Sequence, residues 1–244
     1  MKVASTLRWR TVAGKSQATV SFTEPGLYAA TAFINDDYLV ERVESRVPDA
    51  VLGETEVVTV YSDYRDYGGV KFPARIQQSA GGHPVLDVNV KEVQPNAPAD
   101  FQVPELVHVF TERVTTEKLA DGVWFVAGGS HNSVAIEMKD HIVLVEAPLA
   151  EMRAAPVIEQ VKQLAPGKPI AWVINTHTHF DHSGGLRTAA AEGATIITHT
   201  DNVPYFERAF AVHSKIKPDR LASSGKRLHL RALHCLGGVA FAVV

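Results

Sequence analysis

The stretch IAWVINTHTHFDHSGG, residues 170–185, contains the pattern that decides the fold. It begins with a short apolar run, Ile170–Asn175, which predicts a buried β-strand. Directly after this run come three histidines and one aspartate, at positions 177, 179, 182 and 181. A buried strand that ends in a polar, ligand-rich loop is typical of an open α/β sheet with its site at the carboxyl ends of the strands.

The spacing in this loop predicts a metal site. In an extended loop, residues two apart project to the same side, so His177 and His179 can bind one ion together. Asp181 and His182 follow where the chain turns into a helix, and they can point to a second ion. Imidazole and carboxylate are ligands that zinc prefers, and two adjacent ions could share a bridging hydroxide. We therefore predict His177, His179, Asp181 and His182 as metal ligands, and Asp181 also as the candidate catalytic residue.

A helix cap is the alternative interpretation of this loop. A solvent-facing, histidine-rich turn with Asp181 or Ser183 as the capping residue would have the same composition. The preceding apolar strand favours the metal site. Gly184 and Gly185 then allow the backbone to approach closely just behind the ligands.

Composition limits the class of protein. The chain has 244 residues, of which 45% are hydrophobic and 21% charged, with a net charge of −3. This is enough for one large or two small domains, and it favours neither disorder nor a nucleic-acid partner. A single cysteine excludes an internal disulfide framework. We expect no membrane span and find no signal peptide in this chain.

The chain divides into two predicted domains. Residues 1–93 are the predicted N-terminal antiparallel β domain. From about Gln17 to Val93 the sequence alternates at period 2 between turn residues, which predicts strands at about 18–24, 28–35, 38–45, 56–63, 70–78 and 85–93. Residues 94–104 contain three prolines and are a predicted linker. Residues 105–244 form the second domain, whose last nine residues are apolar and suggest an aggregation-prone segment or a homo-oligomer contact.

The second domain alternates strands with helices. Four short strands are predicted between Val114 and Glu146, followed by a helix with Pro156 near its first turn, where a missing N–H costs nothing. Beyond strand 170–175 we predict a small helix ending near Gly193, a strand at 194–199 and a helix opened by Pro204. This order predicts an α/β layer architecture.

These residues resemble the metallo-β-lactamase-fold metallohydrolases. The resemblance rests on His177-x-His179-x-Asp181-His182, the Ser-Gly-Gly that follows, and the strand HIVLVEAPL, residues 141–149, with Glu146 near its end. The stretch YSDYRDYGGVKFPARI, residues 61–76, the linker, and SHNSVAIEMKDHIVLVEAPL, residues 130–149, resemble an exported bacterial branch with an extra N-terminal β domain.

The resemblance implies an αββα sandwich and a hydrolase. In the family, the residues matching His177 and His179 bind a first metal ion, and those matching Asp181 and His182 bind a second. Zinc is the expected metal, and iron and manganese remain open. The implied reaction is attack by metal-bound hydroxide on an ester, thioester, lactam or phosphoester of a small-molecule substrate. The resemblance also favours a periplasmic location.

The resemblance covers only part of the family's pattern. A complete fold has a second β/α half with a third histidine, a bridging aspartate and a final histidine, and residues 105–244 are too few to hold it. The remaining candidates are His229, His234 and Cys235, in a segment unlike the expected strand and loop. We therefore expect the first half only, a truncated or frame-shifted C-terminus, weak metal binding and little turnover. A novel ligand set is the alternative.

Other polar residues have two interpretations each. His131, on a glycine-rich turn, either lines the cleft near the metals or is a solvated turn residue. Glu146 is a candidate outer-shell partner of a ligating histidine or a plain strand-end carboxylate. Asp201 is the predicted N-cap of the helix with Pro204. Four histidines without partners at ligand spacing are predicted at the surface: His83, His108, His141 and His213.

Two other functions compete with the hydrolase. The first is a non-catalytic protein whose β domain binds a ligand or partner and whose metal loop is vestigial. The second is a mononuclear iron dioxygenase, since relatives of this fold run that chemistry through the same His-x-His pair. It is less favoured because His182 would then have no metal to bind.

Overall fold

The computed structural model describes residues 5–12, 14–98, 100–105, 107 and 111–233. These residues form two compact units. The first unit comprises the described residues of Met1–Pro48, Glu54–Val107 and Lys215–Lys217, and the second those of Asp49–Gly53, His108–Ser214 and Pro218–Val244. The domain boundaries predicted at 93 and 105 stay a prediction.

The first unit is built on a seven-stranded sheet in which every strand neighbours the next one along the chain. The strands are β1 (Ser5–Val12), β2 (Lys15–Glu24), β3 (Tyr28–Ile34), β4 (Val40–Asp49), β5 (Gly53–Tyr67), β6 (Val70–Ala80) and β7 (His83–Asn89). The predicted six-strand meander is therefore present. Strand β1 lies before the six predicted strands, and its apolar residues Leu7 and Trp9 are 67% and 71% exposed.

The second unit is built on a mixed seven-stranded sheet in the order β14-β13-β12-β11-β10-β9-β8. Its strands are β8 (Thr115–Ala120), β9 (Val123–Ala127), β10 (Ser133–Glu137), β11 (Ile142–Val145), β12 (Ile170–Ile174), β13 (Thr195–His199) and β14 (His229–Leu233). Strands β8 to β11 pair antiparallel, and β11 to β14 pair parallel. The parallel half brings the carboxyl ends of β11, β12 and β13 to one edge, where the metal loop begins.

Helices connect the parallel strands, as predicted. They are α1 (Glu151–Leu164), α2 (Phe180–Ser183), α3 (Leu186–Glu192), α4 (Val203–Ala211) after a 3₁₀ turn (Thr200–Asn202), and α5 (Arg220–Ser224). None of the helices in the described ranges is long and apolar enough to cross a membrane.

Alternate residues of the strands form the core with the helices. Leu144, Val173 and Ile196 are 0% exposed and belong to one cluster with Val161 of α1 and Phe206 of α4. Burying each such side chain stabilises the fold by about 1.5–3 kcal/mol. This layer of helices on a sheet confirms the α/β architecture.

Helix α1 corrects the predicted place of Pro156. The helix begins at Glu151, so Pro156 lies inside it rather than in its first turn. The proline cannot donate to the carbonyl of Met152, a residue that is 67% exposed. The preceding turn forms nonetheless because Ala154 and Ala155 are buried in it, and tertiary packing outweighs the local cost.

The C-terminal segment also differs from expectation. His229–Leu233 forms the parallel edge strand β14, in which Leu230 pairs with Ile196 and packs against the core. This edge strand was not among the predicted elements, and of its apolar residues Leu230 packs against the core while Leu233 is 50% exposed. His234, Cys235 and the apolar residues 236–244 lie outside the described residues.

A buried arginine joins the helices of this unit. Arg187 of α3 is 2% exposed, and its guanidinium pairs with Asp219 and donates to the carbonyl oxygens of Ala209 (3.4 Å) and Val212 (3.0 Å). It also lies 5.2 Å from the ring centroid of Phe210. One planar donor group thereby satisfies the end of α4 and the start of α5 together.

We expect Gly184→Ala to lower the free energy of unfolding by about 3 kcal/mol or more. A Cβ at this position would lie 1.8 Å from the carbonyl oxygen of Leu149, so the backbone would have to move. Urea denaturation followed by tryptophan fluorescence measures the loss.

The matched control is Gly167→Ala. Gly167 has a φ of 82°, and no atom of the described residues beyond its chain neighbours lies within 4 Å of its would-be Cβ, so only the backbone preference, about 1 kcal/mol, should be lost. Equal losses in the two variants would contradict the packing argument.

Candidate metal centre

The metal loop leaves the carboxyl end of β12 and is held by two buried polar side chains. Asn175, 2% exposed, donates through Nδ2 to the carbonyl of His182 (3.3 Å) and accepts from Thr198 Oγ1 (3.3 Å). Ser183, 0% exposed, donates to the carbonyls of Thr178 (3.0 Å) and His179 (2.8 Å). Because both ends of the loop are tied to the core, its histidines start from a fixed backbone.

The alternative of a helix cap is wrong. Helix α2 has His179 as its N-cap, and no side-chain hydrogen bond caps it. Asp181 and Ser183 lie within the helix, where they cannot act as its N-cap.

Two glycines let this loop pack against the end of β11. A Cβ on Gly185 would lie 2.4 Å from Cβ of Ala154 and 2.7 Å from the carbonyl oxygen of Ala147, a clash comparable to that at Gly184. The Gly185 N–H donates to the Ala147 carbonyl (2.8 Å), and the Leu149 N–H donates to the Asp181 carbonyl (3.1 Å). The predicted close approach behind the ligands is confirmed.

The segment from Glu146 to Leu149, which packs against Gly184 and Gly185, has a strained backbone. Glu146 and Leu149 have φ values of 66° and 62°, a region that residues other than glycine rarely adopt. Such strain persists only where the surrounding structure imposes it, and it clusters at functional sites. Here it turns the Glu146 carboxylate toward the metal loop, where Oε1 accepts from the Thr176 N–H (2.9 Å).

The structure brings all four predicted ligands together. Within the set His177, His179 and Asp181, one ligand atom from each residue lies within 4.8 Å of the others. His182 adjoins them, with its ring centroid 4.2 Å from that of His177 and its Nε2 3.6 Å from Asp181 Oδ2. A second set that meets the same 4.8 Å limit contains His131, Asp181 and His182.

The rings of these histidines are oriented by outer-shell partners. Thr176 Oγ1 lies 2.9 Å from His177 Nδ1, and Glu146 Oε2 lies 3.5 Å from His182 Nδ1. In both rings the other nitrogen, Nε2, is thereby directed away from its supporting group. Glu146 Oε2 is buried and has no hydrogen-bond partner among the described residues. Hydroxyl and carboxylate groups on the far nitrogen are typical supports of ligating histidines.

Electrostatics favour the protonation states that a cation needs. Burial and the neighbouring imidazoles of His182 and His179 lower the pKa of His177, so this ring is neutral at pH 7. Partial desolvation raises the pKa of Asp181, but its backbone hydrogen bond and the nearby His182 and His131 outweigh that effect. The pKa of Asp181 therefore lies below its ordinary value, and the carboxylate is ionised.

The donor set fits a divalent metal ion. Bonds of about 2.1 Å from a tetrahedral ion to nitrogen and oxygen place two ligand atoms about 3.4 Å apart. The 3.6 Å between His182 Nε2 and Asp181 Oδ2 is close to that separation. Neutral imidazoles and one carboxylate are also the chemical donors that zinc, iron and manganese accept.

The turn that carries His131 is supported by a buried arginine, which was not predicted from the sequence. Arg153 of α1 is 2% exposed and pairs with Glu112 (2.9 Å). It also donates to three carbonyl oxygens, those of Arg113 (2.6 Å), Ala127 (3.1 Å) and His131 (3.4 Å). The sequence does not mark Arg153 as buried, because an arginine in a helix is normally solvent-facing.

Two other candidate residues, His229 and Asp201, lie outside the metal loop. His229 pairs with Thr195, the first residue of β13, which puts it at the opposite end of the parallel strands from the metal loop. Asp201 is not the N-cap of α4, because Asn202 holds that position and Asp201 lies in the 3₁₀ turn, 3.4 Å from His199 Nδ1. The helix begins at Val203, next to the predicted Pro204, but the 3₁₀ turn Thr200–Asn202 precedes it and places Asn202 at the N-cap.

The three described histidines that were predicted at the surface belong to neither ligand set. His83 and His213 are exposed, and His141 is half-buried beside Asp140 (2.7 Å). His108 lies outside the described residues.

Comparison with known proteins finds a family that matches the part of the chain around the metal loop. Residues 126–226 match the family model of the metallo-beta-lactamase superfamily, and this segment contains the metal loop and all of the predicted ligands. The predicted resemblance is confirmed, and the second unit has the metallo-β-lactamase-like fold.

Individual relatives cover a similar part of the chain. The 2,4-dinitroanisole O-demethylase subunit alpha of Nocardioides sp. (strain JS1661) is 28% identical over 100 residues, 41% of this chain and 30% of that protein. A metallo-β-lactamase structure from Hirschia baltica is 28% identical with a TM-score of 0.34, covering 39% of this chain and 48% of that chain. The mono-zinc form of FIM-1 from Pseudomonas aeruginosa is 24% identical with a TM-score of 0.35, covering 52% and 51%. The chain thus spans about half the length of these solved structures.

We expect Arg153→Met to lower the free energy of unfolding by about 3–5 kcal/mol, because it leaves the Glu112 carboxylate and three carbonyls without their donor. Chemical denaturation followed by circular dichroism gives the value. The matched control is Arg220→Met, whose exposed ion pair with Glu151 should contribute about 1 kcal/mol or less. An Arg153→Met protein as stable as the control would contradict the expectation that the buried hydrogen bonds of Arg153 stabilise the fold.

Proposed function

We propose that this protein is a metal-dependent hydrolase that acts on a small molecule through His177, His179, Asp181 and His182. The observation that carries the proposal is the convergence of these side chains at the carboxyl end of β12, with ligand atoms of three of them within 4.8 Å of each other. The superfamily match over residues 126–226 supports a hydrolase-like activity. We propose zinc as the metal.

Each residue of the centre has a distinct role in the proposal. His177 and His179 offer two nitrogens from one extended segment, and neutrality of the His177 ring leaves a lone pair free to bind a cation. Asp181 supplies the negative charge that offsets part of the charge of the metal. Glu146 and Thr176 hold the rings of His182 and His177 from behind. A bound zinc ion would lower the pKa of water toward about 7 and polarise the scissile group.

The centre is accessible to a substrate. The side chains of Asp181 and His182 are 29% and 25% exposed, so the site is neither sealed nor fully solvated. Phe180, between His179 and Asp181 in the sequence, is 67% exposed and offers an apolar surface adjacent to two ligands along the chain. We propose that this ring contacts the part of the substrate next to the scissile bond.

The substrate class follows from the reaction type. An ester, thioester, lactam or phosphoester presents a carbonyl or phosphoryl oxygen that a metal ion can polarise. The Nocardioides relative carries a name that refers to O-demethylation of 2,4-dinitroanisole, so that aryl methyl ether belongs in the substrate panel. An aromatic substrate would also suit the exposed ring of Phe180.

We expect His177→Ala and His179→Ala to weaken zinc binding by more than about 100-fold, the upper range for losing an outer-shell partner, and to abolish turnover. Zinc content after exhaustive dialysis, measured by elemental analysis, checks the first expectation. Turnover of a panel of chromogenic ester, thioester, lactam and phosphoester substrates and of 2,4-dinitroanisole checks the second.

The matched control is His141→Ala. His141 precedes β11 at the far end of the parallel strands, so its loss should change neither zinc content nor turnover. A wild-type chain that binds zinc but hydrolyses none of the panel would favour the ligand-binding alternative. Iron binding with oxygen consumption would favour the dioxygenase. Unchanged zinc content in both loop variants would refute the proposed centre.

A further inference from the structure

We infer that His131 is a metal ligand and that Asp181 is shared between two metal positions, one with His177 and His179 and the other with His131 and His182. The inference rests on the proposed metal centre and adds to it a ligand from a different strand connection. It assigns three protein ligands to each position, which is the number in catalytic zinc sites that keep a fourth position open.

Asp181 lies at ligand spacing from both His131 and His182. His131 Nε2 lies 3.0 Å from Asp181 Oδ2, and His182 Nε2 lies 3.6 Å from the same oxygen. These separations bracket the distance of about 3.4 Å expected between two ligands of one tetrahedral ion. The rings of His131 and His182 meet nearly at a right angle, 88°, with centroids 5.6 Å apart, so both can face a common point without stacking.

The His131 ring is oriented by a hydroxyl group on one side and a carboxylate on the other. Ser130 Oγ lies 2.9 Å from His131 Nδ1, which leaves Nε2 as the nitrogen that faces the carboxylate. This is the same arrangement as in His177, whose Nδ1 lies beside a threonine hydroxyl. A hydroxyl partner on the far nitrogen orients a ligating ring, and His131 has one although it lies far from the metal loop in sequence.

The turn that carries His131 is tightly packed. Gly128 has a φ of 109°, and a Cβ there would lie 2.4 Å from the Arg113 carbonyl oxygen. A Cβ on Gly129 would lie 3.2 Å from the guanidinium carbon of Arg153, which in turn donates to the His131 carbonyl. The backbone beneath His131 is thus packed on a buried cation. Such support suits a ligand, whereas a solvated turn residue needs none.

The two three-residue sets share one carboxylate. Asp181 belongs both to the set with His177 and His179 and to the set with His131 and His182. Its two oxygens give it the capacity to bind two ions. The rings of His131, His177 and His182, each with one nitrogen beside a supporting group, have only one nitrogen left for an ion. Asp181 is therefore the residue that joins the two positions.

We expect the wild-type chain to bind about two zinc ions and His131→Ala to bind about one, with the affinity of the remaining ion changed by less than about threefold. Isothermal titration calorimetry with zinc alone, together with elemental analysis, measures both quantities. Circular dichroism of each variant checks the fold, and His141→Ala is the matched control with an unchanged zinc content.

A second variant separates a ligand from a positioning residue. Cys235 is the only cysteine in the sequence, so His131→Cys in a Cys235→Ser background adds a single thiol. Loaded with cobalt, this variant should show a thiolate-to-cobalt charge-transfer band, because a thiolate is itself a metal ligand. His141→Cys in the same background should show none.

Each result bears on the inference. Loss of one zinc ion in His131→Ala together with the thiolate band supports it. A His131→Ala chain that keeps both ions at wild-type affinity, a wild type that binds a single ion, or a cobalt spectrum without the band overturns it and leaves the proposed hydrolase standing. A wild type that binds no zinc overturns both.

Discussion

The close backbone contact between Gly184–Gly185 and Ala147–Leu149 is the constraint on which the rest of the site depends. It requires two residues without side chains, since a Cβ on either would fall within 2.5 Å of neighbouring atoms. The contact joins the end of β11 to the turn that follows the metal loop, and hydrogen bonds run across it in both directions. Glu146 is thereby held next to His182, and Asp181 beside His131.

Buried polar groups then convert this contact into a rigid site. Asn175 and Ser183 satisfy the backbone of the metal loop from below, and Arg153 does the same for the turn that carries His131. Each is almost fully buried, and each would leave several polar atoms unsatisfied if it were removed. The cost of burying these groups is offset by the fixed positions of the histidine rings, which then lose little freedom when a metal binds.

Local patterns predicted most of the elements, and the misses have a common cause. The meander of the first unit and the alternation of strands and helices in the second follow from short-range periodicity. Pro156 and Asp201 were placed wrongly, because buried alanines extend α1 toward its N-terminus and a 3₁₀ turn contains Asp201 before α4 begins. The edge strand β14 was not predicted, and its inward residue Leu230 packs against the core.

The sequence by itself determined that His177, His179, Asp181 and His182 share one loop after a buried strand, because their spacing is a local property of the chain. Only the tertiary structure decided what stands opposite them. His131 lies 50 residues from Asp181 and Glu146 lies 30 residues from Thr176, and both contacts exist because β10 and β11 pair with each other and β11 pairs with β12. Strand pairing over such distances depends on the packing of the whole sheet, and no short stretch of sequence encodes it.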